Sequence, residues 1–443
     1  MAGESEAQLR RDIGFTGSAV LAFNGIVGAG IFALPGTLHE RFGTFSPWLF
    51  PIFALLIMLV VLPFARQAAL HSGSGGPVAY TAPLGSAISF QTGWLYYVAR
   101  LTALAANANV FATYAAALYP PLGGSIGRAV LILALVGFVT WVNVAGVKRA
   151  VRALEGITVL KALPVISLAL IGFAVAGANL GAPVALPALS AVEASALVVL
   201  YAFVGFENAV VPAGETRDAR RTIPRALIVT VCATAVFYFL VQLAYVAVMP
   251  QGPAPQAPLA SFAETLVGPA GFVILSLTAM ASVMGNILSS VTSTPRVTFA
   301  LSETSALPRW FGVLSPRWQT PINSILFMAG LGALLALTGD FLGLAIVSSL
   351  ARLFVYGLSI AALPEARRLA GLGIGLGVIG LVVGGLDFCI WAAAQSPVAA
   401  WAMLGALVTT GLVLYALARL QAGSSSAATV SEIQPPPSTR SPS

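Results

Sequence analysis

The stretch GIVGAGIFALPG, from Gly25 to Gly36, lies in the first hydrophobic segment of the chain and contains residues that destabilise a helix. A glycine inside a helix costs about 1 kcal/mol relative to alanine, and a proline costs about 3 kcal/mol. Four glycines and one proline nevertheless occupy a segment that is otherwise long and apolar enough to cross a membrane. The segment therefore carries a structural penalty that calls for a reason.

The composition is that of a membrane protein. The chain has 443 residues, of which 58% are hydrophobic and 8% charged, whereas about 25% of residues are charged in soluble proteins. A helix needs about 20 apolar residues to cross the hydrocarbon core of a bilayer. We predict twelve spans, at residues 13–38, 46–65, 86–118, 126–145, 156–178, 193–213, 226–249, 269–299, 322–338, 341–362, 373–393 and 398–418.

The basic residues predict the orientation of these spans. The net charge is +7, and in membrane proteins Lys and Arg collect in the cytoplasmic loops. With the N-terminus inside, the loops outside hold only Arg41 and Arg128. The cytoplasmic side holds many more, namely Arg10, Arg11, Arg66, Lys148, Arg149, Arg152, Arg217, Arg220, Arg221, Arg225, Arg309, Arg317, Arg367, Arg368 and Arg419. Both termini are therefore predicted to be cytoplasmic, and the positive charge does not indicate a nucleic-acid partner.

The ends of the chain flank one membrane domain, residues 13–419. Residues 1–12 are polar and lack the apolar core of a secretory signal, so we expect an uncleaved cytoplasmic tail. Residues 420–443 form a low-complexity segment with too little apolar surface to fold, and we expect a disordered cytoplasmic tail there. The proline-rich connector MPQGPAPQAP, at 249–258, falls outside the membrane in this topology.

Residue types that support catalysis or metal binding are scarce. Cys232 and Cys389 lie in separate apolar segments, and His39 and His71 are the only histidines. These residues offer neither a disulfide framework nor a His/Cys metal cluster. They also offer no nucleophile and base within reach of each other. We therefore predict no metal, no cofactor and no enzymatic activity.

A second stretch, YAFVGFENAVVPAG at 201–214, resembles the first one. Gly28 is followed by Pro35 seven residues later, and Gly205 is followed by Pro212 at the same spacing. Two glycine-interrupted segments at corresponding places in two halves indicate a transporter substrate site. The first and sixth spans run in opposite directions, as an inverted repeat of five plus five helices requires. The alternative is close packing of helices through small residues, which is common in membrane bundles.

Five motifs in order show that the chain resembles the amino acid, polyamine and organocation (APC) superfamily of secondary transporters. The motifs are GIVGAGIF, GGPVAY, GW at 93–94, YAFVGFEN followed by GETRDARRTIPRA, and ALPRWFGVLSPRWQTP. The resemblance implies an all-α membrane protein with the leucine-transporter fold. Residues 13–178 would form the first repeat and 193–362 the second, with two extra helices at 373–418. The first and sixth helices would be unwound midway.

The resemblance also implies that backbone groups at the two interruptions bind an amino acid. Freed backbone groups are tolerated in a membrane only where they line a cavity. Amides at the broken end of a helix can hold a carboxylate, and by resemblance these belong to Gly28, Ala29 and Gly30. The carbonyls that would accept from the α-ammonium group belong to Ile26, Tyr201, Ala202 and Val204.

Lys161 is one of five charged residues that the sequence places deep inside the predicted spans, and each of these is a functional candidate because a charge near the bilayer centre is expensive. Lys161 either extends back to the cytoplasmic interface or, as the resemblance implies, occupies the place of a sodium ion in relatives. A buried lysine gives up its proton more readily than one in water, which favours coupling to protons, or exchange, over coupling to sodium. By resemblance, Ser289 and Ser290 lie near that cation site, although serines also bond to their own helix.

The other intramembrane charges are Arg100, Glu207, Arg352 and Asp387. Arg100 and Asn107 share one face of the third span, which the resemblance directs towards the cavity; Arg100 pairs with Glu207 or contacts substrate. Glu207 serves in protonation or gating, or in pairing within the bundle. Arg352, with Tyr356, guards the outer pathway or pairs with a neighbour, and Asp387 lies outside the ten-helix core. By resemblance, Tyr201 occupies the position of an aromatic residue that covers the bound substrate in relatives; the alternative is that its ring only packs against neighbouring helices.

These observations predict a secondary active transporter of an amino acid or related amine in the cytoplasmic (inner) membrane, working by alternating access. The alternative is a sensor or channel-like facilitator on the same fold. Only Glu207 could favour a cationic side chain, so a neutral or anionic amino acid is the expected substrate.

Overall fold

The computed structural model describes residues 13–71, 75–145, 147–177, 184–318 and 320–431, with the side chains of 147–160 and 421–431 left out. The predicted N-terminal tail, residues 1–12, and the last residues of the C-terminal tail lie outside this part of the chain. So do the side chains of Lys148, Arg149 and Arg152. Within the described ranges every regular element is a helix, and the only β pairing is an isolated bridge between Ile13 and Thr216.

Eighteen α-helices follow one another along the described chain. They are α1 (Phe15–Ile26), α2 (Gly30–Phe42), α3 (Leu49–Leu70), α4 (Pro77–Thr81), α5 (Ser86–Leu118), α6 (Ser125–Val144), α7 (Val147–Ala176), α8 (Leu189–Ala194), α9 (Ala196–Tyr201), α10 (Ala219–Val248), α11 (Pro258–Val267), α12 (Pro269–Ser293), α13 (Pro295–Glu303), α14 (Ile322–Thr338), α15 (Phe341–Ala361), α16 (Leu363–Leu369), α17 (Leu376–Ala394) and α18 (Val398–Ser431).

Eight helical stretches of the described residues are long and apolar enough to cross a membrane. They are Gly30–Leu70, which contains α2 and α3, Ser86–Leu118, Ser125–Val144, Ala219–Val248, Pro269–Glu303, Phe341–Leu369, Leu376–Ala394 and Val398–Leu420. Four shorter apolar helical stretches are Phe15–Ile26, Lys161–Ala176, Ala196–Ala209 and Ile322–Thr338. The lengths and composition are those of a helical membrane protein.

The helices differ from the predicted spans in a few places. The predicted span at 269–299 is divided into α12 and α13, because Pro295 has no amide hydrogen to donate within a continuous helix. The short helices α4, α11 and α16 were not predicted. Helix α18 continues to Ser431, beyond the predicted end of its span at 418. Each residue added to an existing helix gains a hydrogen bond without a new nucleation step.

Both glycine-rich segments are interrupted, as the sequence predicts. Helix α1 ends at Ile26 and α2 begins at Gly30, with Val27 in a non-helical conformation at φ −80° and ψ 84°. In the second segment α9 ends at Tyr201, and four residues in turns lead to a 3₁₀ turn over Phe206–Ala209. We call the interrupted segment Gly25–Gly30 the first break and the interrupted segment Ala202–Glu207 the second break.

Helix α5 lies in the middle of the bundle and lines the breaks. It packs against α12, α14 and α15, and its residues from Thr92 to Val110 are buried without exception. Helix α10 packs against α1, α3 and α7 on the other side. The two breaks therefore lie between long helices that shield them from the bilayer, which is the condition for non-helical backbone at this depth.

Candidate functional site

The two breaks touch each other through glycine backbone. A Cβ atom built on Gly25 would stand 2.1 Å from the carbonyl oxygen of Gly205, and one built on Gly205 would stand 2.2 Å from the oxygen of Gly25. Gly205 also has φ +111°, a conformation that side chains disfavour. By contrast, a Cβ on Gly30 would meet nothing closer than 3.4 Å. Glycine is therefore required most strictly at Gly25 and Gly205, where one interrupted segment crosses the other.

A small cavity of about 20 Å³ lies beside this contact, with room for one or two water molecules. Most of the predicted binding residues line it: Ile26, Gly28, Ala29, Gly30, Arg100, Asn107, Tyr201 and Val204. Gly25, Ala103, Asn286 and Arg352 complete the lining. The predicted residues Ala202, Lys161, Glu207, Ser289 and Ser290 do not line this cavity.

The backbone of the first break is partly occupied. The amide of Gly28 donates to the carbonyl of Ile26 at 2.9 Å, and the hydroxyl of Tyr238 donates to the same oxygen at 3.3 Å. Ala29 and Gly30 stand at the beginning of α2, where helix geometry leaves amides without partners inside the helix. The amides that remain available at the cavity are therefore those of Ala29 and Gly30.

Lys161 reaches the first break from α7. Its Nζ donates to the carbonyl of Val27 at 2.8 Å, and it lies 5.9 Å from the centre of the Phe23 ring. Only 4% of the residue is exposed, so the interpretation in which this lysine extends to the membrane surface is wrong. Ser290 is buried and Ser289 half-buried on α12, and the described residues include no hydrogen bond from either to Lys161.

Glu207 holds the second break together. One carboxylate oxygen accepts from the Nε of Arg352 at 2.9 Å. The other accepts from the hydroxyl of Tyr356 at 2.8 Å and from the amide of Gly205 at 2.9 Å. The side chains of Glu207 and Arg352 are 0% and 3% exposed, so this ion pair is buried. Of the alternatives left open by the sequence, Arg352 and Tyr356 pair with a neighbour, and the predicted pairing of Arg100 with Glu207 is wrong.

Arg100 lines the cavity without such a partner. It is 1% exposed, and its Nε and Nη2 have no hydrogen-bond acceptor among the described residues. The carboxylate that could have neutralised it is taken by Arg352. A buried guanidinium is stable only where its donors are satisfied, so Arg100 is the group in this cavity that most needs a ligand.

A model of one protein family, described as amino acid permease, matches residues 13–368. The chain belongs to the amino acid permease family. This permease is 28% identical over 426 residues to an uncharacterized transporter of Mycobacterium tuberculosis, covering 93% of this chain and 92% of the relative. It is 29% identical over 261 residues to the cadaverine/lysine antiporter of Escherichia coli strain K12, covering 57% and 58% of the two chains. These relatives are transporters and not enzymes, and the permease is a multi-pass membrane protein of the APC superfamily.

Two polar residues in the site of the permease were not predicted. Asn286 of α12 donates to the carbonyl of Asn24 at 3.2 Å and accepts from the Nδ2 of Asn107 at 3.4 Å. Tyr238 of α10 donates to Ile26 from the opposite side. Both are uncharged, so a search for charges inside spans passes over them. The signal that remains is a lone amide in an otherwise apolar stretch, MGNIL.

The structure also gives the positions of two other residues that the sequence singles out, Tyr201 and Asp387. Tyr201 lines the cavity and packs edge-on against Phe341, with ring centres 5.7 Å apart. Asp387 is exposed on α17 and does not line the cavity. An aromatic cover at one end of the cavity is thus compatible with the geometry of Tyr201.

Proposed function

We propose that this permease is a secondary active transporter that moves an amino acid or related amine across the cytoplasmic membrane by alternating access. The observation that carries the proposal is the meeting of two interrupted helices at Gly25 and Gly205, beside a cavity inside the bundle. Such discontinuous helices are where transporters bind substrates. The proposed architecture has twelve spans, with 13–178 and 193–362 as inverted repeats, 373–418 appended, and both termini in the cytoplasm.

The proposed binding mode reads the main-chain groups of the substrate. The amides of Ala29 and Gly30, at the positive end of α2, would hold the carboxylate. The α-ammonium group would donate to the carbonyls of Tyr201, Ala202 and Val204. In support, no backbone amide of the described residues donates to these three oxygens. Gly28 and Ile26 would join the site only after their mutual hydrogen bond opens.

Movement of the lining is part of this proposal. The cavity has room for one or two waters, whereas sites for organic ligands commonly have volumes of about 300 Å³ or more. The two breaks must separate to admit an amino acid, and closing them again shields the substrate. Tyr201, against Phe341, would cover the substrate on one side.

Lys161 is proposed as the coupling residue. Its ammonium group donates to the Val27 carbonyl, inside the first break, so a change in its charge alters the force that holds this backbone in place. Proton coupling, or exchange with Lys161 as a fixed cation, then follows without a sodium ion. Because the lysine touches the break and not the cavity, coupling would act on the shape of the site.

The test is counterflow in proteoliposomes containing the purified protein. Vesicles loaded with a mixture of unlabelled amino acids and cadaverine are diluted into solutions that each contain one of these compounds in radiolabelled form. A transporter gives saturable uptake that the internal substrate accelerates. Asp387→Asn, at an exposed site away from the cavity, should match the wild type. Uptake that rises linearly with concentration would indicate a channel, and binding without uptake would indicate a sensor; either result overturns the proposal.

A further inference from the structure

Arg100 lies near one end of a polar face of α5 that lines the cavity. Arg100, Ala103 and Asn107 all contribute to the lining, and they are three and four residues apart. Such residues lie on one face of a helix. Arg100 and Asn107 are separated by about 10 Å along the axis, from the rise of 1.5 Å per residue. The small side chain of Ala103 occupies the space between them.

The other end of this face lies at the first break. The Oδ1 of Asn107 would be 3.4 Å from a Cβ atom on Gly28, so Asn107 marks the position of the break along α5. The free amides of Ala29 and Gly30 belong to the same lining. The cavity therefore has two places for negative charge, which are the amides at the break and the guanidinium of Arg100, a residue about two helical turns from Asn107 along α5.

The charges around the cavity do not cancel. The described lining residues include two arginines and no acid. Arg352 is neutralised by Glu207, whose carboxylate is fully used by Arg352, Tyr356 and the Gly205 amide. Lys161 adds a further positive charge on the far side of the first break. A cationic side chain entering this cavity would meet an unneutralised guanidinium, and an anionic one would supply its missing acceptor.

We propose that the substrate is an amino acid with an acidic side chain, and that Arg100 binds the side-chain carboxylate while the amides of Ala29 and Gly30 bind the α-carboxylate. The proposal rests on the function proposed above and adds the substrate class. It makes Arg100 a specificity-determining residue. Asn107, whose Oδ1 has no donor among the described residues, would lie beside the substrate between the two carboxylates.

The experiment compares substrates that differ in one charge. Apparent affinities of the purified protein are measured by competition in counterflow for L-glutamate and L-glutamine, for L-aspartate and L-asparagine, and for L-lysine. One acid should bind at least about 10-fold more tightly than its amide, from the strength of hydrogen bonds between charged groups. L-lysine should compete least.

Arg100→Gln should weaken binding of the preferred acid by about 10- to 100-fold and leave its amide unchanged. Arg100→Lys keeps the charge and should retain part of the preference. Arg66→Gln, which changes an exposed arginine on α3, should behave as the wild type. If Arg100→Gln does not fold, the ranking of ligands by the wild type still decides.

Three results would overturn the inference: a wild-type preference for the amides, a preference for L-lysine, or an equal loss of acid and amide binding in Arg100→Gln. The last result would mean that Arg100 binds the α-carboxylate. Failure of the proposed function looks different, because then neither an amino acid nor cadaverine is exchanged.

Discussion

The two breaks have the same glycine-to-proline spacing but use different chemistry. In the first break the contacts come from other helices, with Lys161 on the carbonyl of Val27 and Tyr238 on that of Ile26. In the second break the chain supplies its own partner, since the Glu207 carboxylate accepts from the amide of Gly205 two residues before it. One break is held by a cation from outside, and the other is closed by a carboxylate within it.

The difference shows that a repeat in sequence does not imply a repeat in charge. The negative charge of the second break is neutralised by Arg352, and Tyr356 donates a hydrogen bond to the same carboxylate, so this buried network leaves no unpaired charge for a ligand. The first break presents the amides of Ala29 and Gly30 at a helix N-terminus. We therefore expect the ion pair of the second break to govern stability, and the first break to govern coupling and the binding of the substrate carboxylate.

The largest effect is expected where the two breaks meet. Gly205→Ala places a Cβ atom 2.2 Å from the Gly25 oxygen at a residue with φ +111°. We expect loss of the folded protein or destabilisation by more than about 5 kcal/mol, measured by thermal unfolding in detergent. The matched control is Gly137→Ala on α6, where a Cβ atom meets nothing within 4 Å. A Gly205→Ala protein that melts like the control would show that the backbones need not touch.

A smaller loss is expected from opening the second break. Glu207→Gln leaves the buried guanidinium of Arg352 without a counter-charge, which should cost about 3–5 kcal/mol of unfolding free energy. The double variant with Arg352→Gln should recover part of that loss, because the two residues interact. Glu365→Gln breaks the exposed pair with Arg368 and should change stability by less than about 1 kcal/mol. Equal losses of unfolding free energy in Glu207→Gln and Glu365→Gln would show that the Glu207–Arg352 pair does not stabilise the second break.

The smallest change in stability is expected at the first break. Lys161→Met keeps an unbranched side chain and removes the charge that contacts Val27. We expect the stability to change by less than about 2 kcal/mol, because only one hydrogen bond, to a neutral carbonyl, is lost. Uptake should fall by about 10-fold or more and lose its dependence on pH, measured in proteoliposomes across pH 5–8. Uptake by Lys161→Met that is unchanged and fully pH-dependent would exclude Lys161 from coupling.

The sequence predicts the helical elements well where composition alone decides them. The bounds of α5 and α14 agree with the predicted spans at 86–118 and 322–338. The breaks were also predicted, because the paired glycines and prolines mark unusual segments and the family resemblance implies that both helices unwind there. The short helix α11 was not predicted, because ten residues after a proline-rich connector are too few to show a clear helical periodicity or to span a membrane.

The partners of the charged residues could not be predicted in the same way. Arg100 and Arg352 are both arginines in apolar spans, and only the packing of α15 against α5 and α9 decides which one reaches Glu207. The contact between Gly25 and Gly205 likewise joins residues 180 positions apart. A single sequence shows that both glycines are unusual, but not that each is needed because of the other.

The isolated β-bridge at Ile13 joins the two interrupted segments by backbone hydrogen bonds. The amide of Ile13 donates to Glu215 at 3.0 Å, and its carbonyl accepts from the amide of Arg217 at 2.8 Å. The beginning of α1 is thus fastened to the chain that follows the second break. At this end the two segments separate only if both hydrogen bonds are replaced by hydrogen bonds to water. The opposite end of the segments is not held by this bridge. In the proposed transport cycle, opening on the side of this bridge therefore requires two hydrogen bonds to be broken that opening on the other side does not.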